Sequence, residues 1–264
     1  MGCNGLSETE PDYLEDGIKY CGSCHTPKQC RVQMGGRDWV MPVLCDCERE
    51  RENEEKRLRA EQKHRQRVDE LLRTGLPDGR YRSITFERME YVPEFARRYV
   101  EDWERNRREN LGLMLMGGVG TGKTWTAAGI ANALIDREIP VHMENILSVV
   151  DRMTGLYSSD RPEMLAELER APLLILDDFG AQRGTEFVKE QIYHIIESRY
   201  RSGKPLIVTT NLSLEEMRRD GDLWMDRVYD RLREICHPVV MQGESWRRKN
   251  ANARYRKINE RLGL

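Results

Sequence analysis

Eight consecutive residues, Gly117, Gly118, Val119, Gly120, Thr121, Gly122, Lys123 and Thr124, have the types and spacing of a loop that wraps a phosphate chain. They fit the pattern G-x-x-x-x-G-K-[ST] at each position, after an apolar run at 113–116 and before a helix-like stretch at 125–135. Glycines let successive backbone N–H groups turn toward phosphate oxygens at a helix N-terminus. Lys123 then reaches the β- and γ-phosphates, and the Thr124 hydroxyl can ligate Mg²⁺. Further on, the aliphatic run 173–176 ends in Asp177-Asp178. Such a run suits a parallel strand buried on both faces. Asp177 is then placed to hold Mg²⁺, and Asp178 to orient and polarise an attacking water. Each signal alone has an ordinary reading, a Gly-rich turn or a strand running into a loop. In combination they point to a nucleoside triphosphate site.

Five of the seven cysteines fall between residues 21 and 47. Their spacing, Cys21-x-x-Cys24 and then Cys45-x-Cys47, gives two short chelating pairs able to close a tetrahedral Zn²⁺ site. Cys30 and His25 stand nearby and could each replace a ligand; free reduced thiols are the plainer alternative. The zinc is expected to be structural, because so short a segment with few large apolar residues needs a metal to fold.

The elements that must position these groups follow from length and pattern. A chain of 264 residues suits one domain of moderate size and a smaller module. Net charge is −2, so attraction to nucleic acid has to be local. Charged residues make up 33%, and no run reaches the ~18 apolar residues of a membrane span. The first ten residues lack the layout of a signal peptide, and Leu6 stands where a myristoylation pattern after Gly2 wants Ser or Thr. A cytoplasmic protein with no membrane contact is expected.

Residues 1–47 read as the cysteine module and 48–79 as a charged helical linker, laced by pairs of opposite sign and broken near Gly75-Leu76-Pro77. Residues 80–264 alternate helix and strand, the strands falling at 113–116, 140–143, 173–176, 206–209 and 239–241. Alternation of this kind predicts an α/β domain of three layers with a mainly parallel five-stranded sheet, its ligands gathered at the carboxyl ends of the strands. Phe86 reads as a packing residue or a contact for adenine. Tyr157 continues the helical spacing of Ile146, Val149, Val150 and Met153 and reads as core at least as well as anything else.

Two weaker polar signals complete the pattern. Thr209-Thr210-Asn211 ends a strand with an amide that can bond a water and the γ-phosphate, although an Asn there is also a good helix cap. Arg227 and Arg231 lie one turn apart on a predicted helix, either as ordinary surface residues or as arginines that reach a neighbouring subunit's γ-phosphate.

With Glu244-Ser245-Trp246-Arg247 added, the order and spacing of these motifs over roughly residues 80–250 closely resemble the AAA+ ATPases of the DnaC/DnaI helicase-loader group, which includes the IstB transposition helpers. The resemblance implies roles. Asn211 becomes a sensor of the γ-phosphate, Arg231 an arginine finger acting in trans, and Arg247 a second sensor on its own subunit's nucleotide, with Arg227 and Arg248 as neighbours that could exchange with them. It also implies ATP, Mg²⁺ and slow hydrolysis, assembly into a homo-oligomer, contact with single-stranded DNA, and a zinc module that grips the replicative DNA helicase. Too little chain follows Arg247 for the helical lid of many AAA+ proteins, and this group similarly lacks one. Asp178 departs from the Glu common at its position and is shorter by one methylene. Other readings are a transposition helper, which usually lacks a cysteine module, a P-loop kinase of small molecules, which has no need of Asn211 and paired arginines, and a module that binds ATP without hydrolysing it.

Overall fold

A computed structural model of the chain describes residues 11–157, 160–180, 185–219 and 221–263. Two compact units divide between Gln66 and Arg67. The first opens on two antiparallel hairpins. β1 (Tyr13–Glu15) pairs with β2 (Ile18–Tyr20) across Asp16-Gly17, and β3 (Gln29–Met34) pairs with β4 (Arg37–Pro42) across Gly35-Gly36. All four turn residues have positive φ, which suits the primed turns that match strand twist.

Helix α1 (Asp46–Gly75) follows and crosses the division between units. Its sequence carries nine acids and nine bases. Pairs such as Lys56–Glu52, Arg57–Glu61 and Arg59–Glu55 keep its first part a solvated helix, as the charge pattern predicts. The end of α1 belongs to the second unit, because Val68, Leu71 and Leu72 join that unit's core. This division lies inside the stretch expected to act as a linker.

The second unit continues with α2 (Gly79–Arg82), a 3-10 turn (Phe86–Arg88), α3 (Glu94–Glu101), α4 (Trp103–Arg108), β5 (Gly112–Met116), α5 (Lys123–Ile135), β6 (Val141–Asn145), α6 (Ile146–Gly155), α7 (Arg161–Arg170), β7 (Leu173–Phe179), α8 (Glu186–Ser202), β8 (Leu206–Thr210), α9 (Leu214–Arg219), α10 (Leu223–Ile235), β9 (Cys236–Val240) and α11 (Trp246–Leu262). The strands form one parallel sheet in the order β6-β7-β8-β5-β9.

Alternation along each strand builds two cores. Leu113, Leu115, Ile175 and Ile207 face one layer with Ile130 and Leu134 of α5. Met114, Met116, Leu176 and Val208 face the other, with Ile192 and Ile196 of α8 and Leu232 of α10. Strands buried on both faces are what the continuous aliphatic runs require. Burying each such side chain stabilises the sheet by about 2 kcal/mol.

At the entry end of the sheet the buried Arg199 of α8 donates to the carbonyls of Ala171, Pro172 and Pro205, which lead into β7 and β8. Burial lowers its guanidinium pKa to about 10, so it remains charged near neutrality.

Two expectations resolve here. Tyr157 lies beyond the end of α6 and is 83% exposed, so it is no core residue; the buried apolar spacing ends at Met153, in the last turn of the helix, which stops at Gly155. Phe86 takes the packing role, its ring against Gly129 of α5 where a Cβ would come within 2.7 Å. After β9 the described chain adds the single helix α11 and no lid bundle. No helix among the described residues is long and apolar enough to cross a membrane.

Candidate nucleotide and metal sites

The loop expected to hold phosphate leaves β5 at Gly117 and enters α5 at Lys123. Gly120 and Gly122 have φ of 85° and 95°, which only glycine adopts without cost. Gly120 is also crowded: a Cβ there would lie 2.1 Å from the Ser245 hydroxyl. Trp246 N donates to Gly120 O at 3.0 Å, so the start of α11 rests on the loop. Thr121 braces it from within, its hydroxyl donating to Gly118 O at 3.0 Å.

Lys123 is 7% exposed, and its ammonium donates to Gly117 O at 2.7 Å, Gly118 O at 2.7 Å and Asn211 Oδ1 at 2.8 Å. Burial pushes its pKa down; Asp178 and Asp177 pull it up, while the charge of Arg247 pushes it down again. Arg247, exposed on the first turn of α11, is therefore within electrostatic reach of the loop.

Asp177 lies two residues before the end of β7, the strand beside β8, and is 5% exposed. Its Oδ1 accepts from Thr124 Oγ1 at 2.8 Å and Thr209 Oγ1 at 2.6 Å, and its Oδ2 accepts from Tyr81 OH at 3.0 Å. Thr124 and Asp177, the two groups expected to hold Mg²⁺, thus meet. A carboxylate and a hydroxyl at hydrogen-bond distance are the hard oxygen donors that ion prefers, so the residues fit the metal.

Tyr81 joins the candidate site through its bond to Asp177, and the sequence alone did not point to it. It is reached through Asn132 of α5, whose amide donates to the carbonyls of Tyr81, Ile84 and Ala128, each at 2.8 Å. Burial and the charge of Asp177 both raise the Tyr81 pKa, which keeps the phenol protonated as a donor. A buried polar residue four positions after the paired Ala128 was the available signal, and by itself it is a poor one.

Asp178 follows at a break in strand register between Leu176 and Phe179, with φ of 59°. Its N–H donates to Thr209 Oγ1 at 2.9 Å, and Asn211 Nδ2 points at its Oδ1 from 3.5 Å. Asn211 therefore stands between Lys123 and Asp178. Capping of α9 falls to Ser213, which exchanges hydrogen bonds with Glu216 in a capping box, so the amide of Asn211 is left for the site.

The α10 arginines are not brought into this cluster. Arg231 is ion-paired with Glu197 and lies over the rings of Tyr193 and Tyr200 at 5.2 and 5.5 Å. Arg227, one turn earlier, is exposed over the Trp224 ring at 5.8 Å.

In the first unit, the thiol sulfurs of Cys21, Cys24, Cys45 and Cys47 lie within 4.8 Å of one another. A tetrahedron with Zn–S of about 2.3 Å has S···S edges of about 3.8 Å, so the donor set and spacing fit zinc. Cys30, on β3, and His25 stand outside this group. Thr26 ties the two pairs together: its Oγ1 contacts Cys24 Sγ at 3.1 Å and accepts from Asp46 N at 2.9 Å. Lys28 bridges Asp12 and Glu48 at 3.1 and 2.8 Å.

A sheet of this strand order, with a phosphate loop on β5 and paired acids on β7, is the AAA+ P-loop fold, and the site on it is that of an ATP-binding protein. The chain belongs to the family of IstB-like ATP binding proteins, which it matches over residues 54–254. It is 30% identical over 141 residues to the replicative helicase loader DnaC of Escherichia coli K12, covering 52% of this chain and 55% of DnaC. It is 25% identical over 169 residues to the replicative helicase loader DnaI of Bacillus subtilis 168, covering 60% and 53%. A putative ATP-binding protein in an insertion sequence of Mycobacterium tuberculosis H37Rv, Rv3427c, is 29% identical over 139 residues, covering 51% and 55%. The matches span about half the length of these relatives. Among solved structures, the DnaC helicase loader superposes with a TM-score of 0.53 at 25% identity over 62% of this chain and 99% of that one. The DnaI structure gives 0.52 at 22%, over 63% and 92%, a likeness of fold.

Proposed function

We propose that this chain loads a replicative DNA helicase onto single-stranded DNA, using ATP as a switch. The observation that carries the reading is the pairing of an AAA+ domain similar to DnaC and DnaI with a separately folded unit built around four clustered cysteines. An adaptor needs two such parts, one that responds to nucleotide and one that holds cargo. In this reading Cys21, Cys24, Cys45 and Cys47 bind zinc and shape the unit that holds the helicase, and the AAA+ domains assemble into a homo-oligomer.

Within the nucleotide site, backbone N–H groups from Gly117 to Gly122 and the Lys123 ammonium bind the phosphates of ATP. Thr124 and Asp177 hold Mg²⁺, which supplies neutralisation of charge on the β- and γ-phosphates. Asp178 orients the attacking water. Asn211, lying between Lys123 and Asp178, aligns that water with the γ-phosphate, and Arg247 senses the nucleotide from α11. An arginine of α10 completes the neighbouring subunit's site. Arg227 reaches outward as it stands, whereas Arg231 first exchanges its Glu197 partner.

A transposition helper is the second reading, favoured by the similarity to Rv3427c. Affinity purification of the full chain from its native cells with ATP and Mg²⁺, followed by identification of the bound protein, separates the two. A replicative helicase that is lost when Cys21 and Cys24 are replaced by Ser supports the loader. Recovery of a transposase and no helicase would overturn it.

A further inference from the structure

Helix α11 carries a large excess of positive charge. Its 17 residues carry seven cations, Arg247, Arg248, Lys249, Arg254, Arg256, Lys257 and Arg261, against the single acid Glu260. The long helix α1 balances nine bases with nine acids, so it carries no net charge. Lys249 pairs with Glu90 at 3.5 Å. Among the described residues none of the other six α11 cations has an acidic partner, and all six are exposed.

Their placement is ordered. At about 100° per residue, Arg247, Arg254, Lys257 and Arg261 fall within an arc of about 80° and form a stripe about 21 Å long. Tyr255, 62% exposed, lies on the flank of the helix, about 80° around from the edge of the stripe at Arg247. At a net charge of −2 for the whole chain, this helix concentrates positive charge that the rest of the molecule offsets.

We propose that α11 is a binding helix for single-stranded nucleic acid: the stripe follows the phosphate backbone, and Tyr255 offers its ring to an unpaired base. A row of unpaired guanidinium and ammonium groups fits a polyanion, whose condensed counterions are released on binding. An exposed aromatic on the same helix as such a row supplies the second element by which single strands are held without sequence preference, a ring on which a base can stack. A membrane surface would need a broad apolar face opposite the cations, and here Arg248 and Arg256 occupy much of that side. The inference rests on the loader reading for the strand's identity, single-stranded DNA. Arg247 belongs both to this stripe and to the nucleotide site, so the helix that holds the strand starts on the phosphate loop.

The test uses the full chain with Arg254→Gln, Lys257→Gln and Arg261→Gln combined, which leaves Arg247 intact. A fluorescent dT oligomer and a duplex of equal length are titrated by anisotropy at several salt concentrations, with ATP affinity and helicase recovery measured on the same preparations. The natural protein is expected to bind the dT oligomer more tightly than the duplex. The triple variant should bind it about tenfold or more weakly, and its log–log salt slope should fall by about 2, three single-strand phosphate contacts at about 0.7 each. ATP affinity should stay unchanged. A control that removes as many cations from α1, with Lys56, Arg57 and Arg59 each changed to Gln, should retain binding. Equal loss in the control, an unaltered slope in the triple variant, or a natural protein that ignores the oligomer would each overturn the proposal. So would loss of helicase recovery with DNA binding intact, which assigns α11 to a protein partner. Failure of these DNA outcomes with helicase recovery intact leaves the loader reading standing.

Discussion

Lys123 is the one mobile cation of the phosphate loop, and its ammonium already sits among loop carbonyls and Asn211. Lys123→Ala is therefore expected to abolish tight ATP binding while the fold persists, which labelled-nucleotide titration of the folded variant measures. Unchanged affinity would sink the assignment of this loop. Tyr81→Phe makes a finer test. It removes a hydroxyl from a buried carboxylate and costs about 2 kcal/mol at that bond. With Asp177 Oδ2 freed of its donor, the carboxylate loses its fixed orientation, so hydrolysis should fall several-fold while ATP affinity without Mg²⁺ stays near that of the natural protein. If rate and affinity dropped together, Tyr81 would be a folding residue and nothing more. At Asp178 the backbone explains the side chain: φ of 59° is a conformation that Asp and Asn adopt far more readily than longer residues. The shorter acid and the turn that holds it go together.

At the scale of elements, the cysteine unit depends on four sulfurs drawn from two segments, the turn after β2 and the start of α1. One zinc per chain is expected by metal analysis under reducing conditions, and its chelation should unfold the hairpins and fray the first turns of α1 without changing ATP binding. A protein purified free of zinc yet showing native circular dichroism would refute this. The sheet and the phosphate loop were legible in the sequence because β5, β7 and β8 are buried on both faces and must be continuously aliphatic. The hairpins β1–β2 and β3–β4 were not, since they bury little and lack a strict alternation that would stand out. The end of α1 was read as linker because charge dominates it; Val68, Leu71 and Leu72 decided its place. Tyr81 escaped because its role depends on a partner far along the chain, a kind of pairing that local spacing does not encode.

For the whole molecule, an ATP site completed by α10 of a neighbour predicts complementation. Arg227→Ala combined with Arg231→Ala should lower hydrolysis far more than ATP binding, because the guanidinium acts where negative charge builds up in the transition state. Mixed with Lys123→Ala chains, themselves inactive, such chains should regain part of the hydrolysis, an intact loop from one meeting an intact arginine from the other. A mixture that stays dead despite verified assembly would favour a self-contained site. Single variants then tell the two arginines apart, Arg231→Ala also lowering thermal stability through loss of its Glu197 pair.

Arg199 has a consequence that reaches across the sheet. Its guanidinium pins the carbonyls of Pro172 and Pro205, the points where β7 and β8 begin, and so works as an alignment pin for two neighbouring strands. Thr209 stands four residues beyond Pro205, about 13 Å along an extended strand. A slip of one residue would turn it away from Asp177. Arg199→Leu would keep the bulk and lose the pin, and the damage would surface at the opposite end of the strands, as a magnesium site out of true.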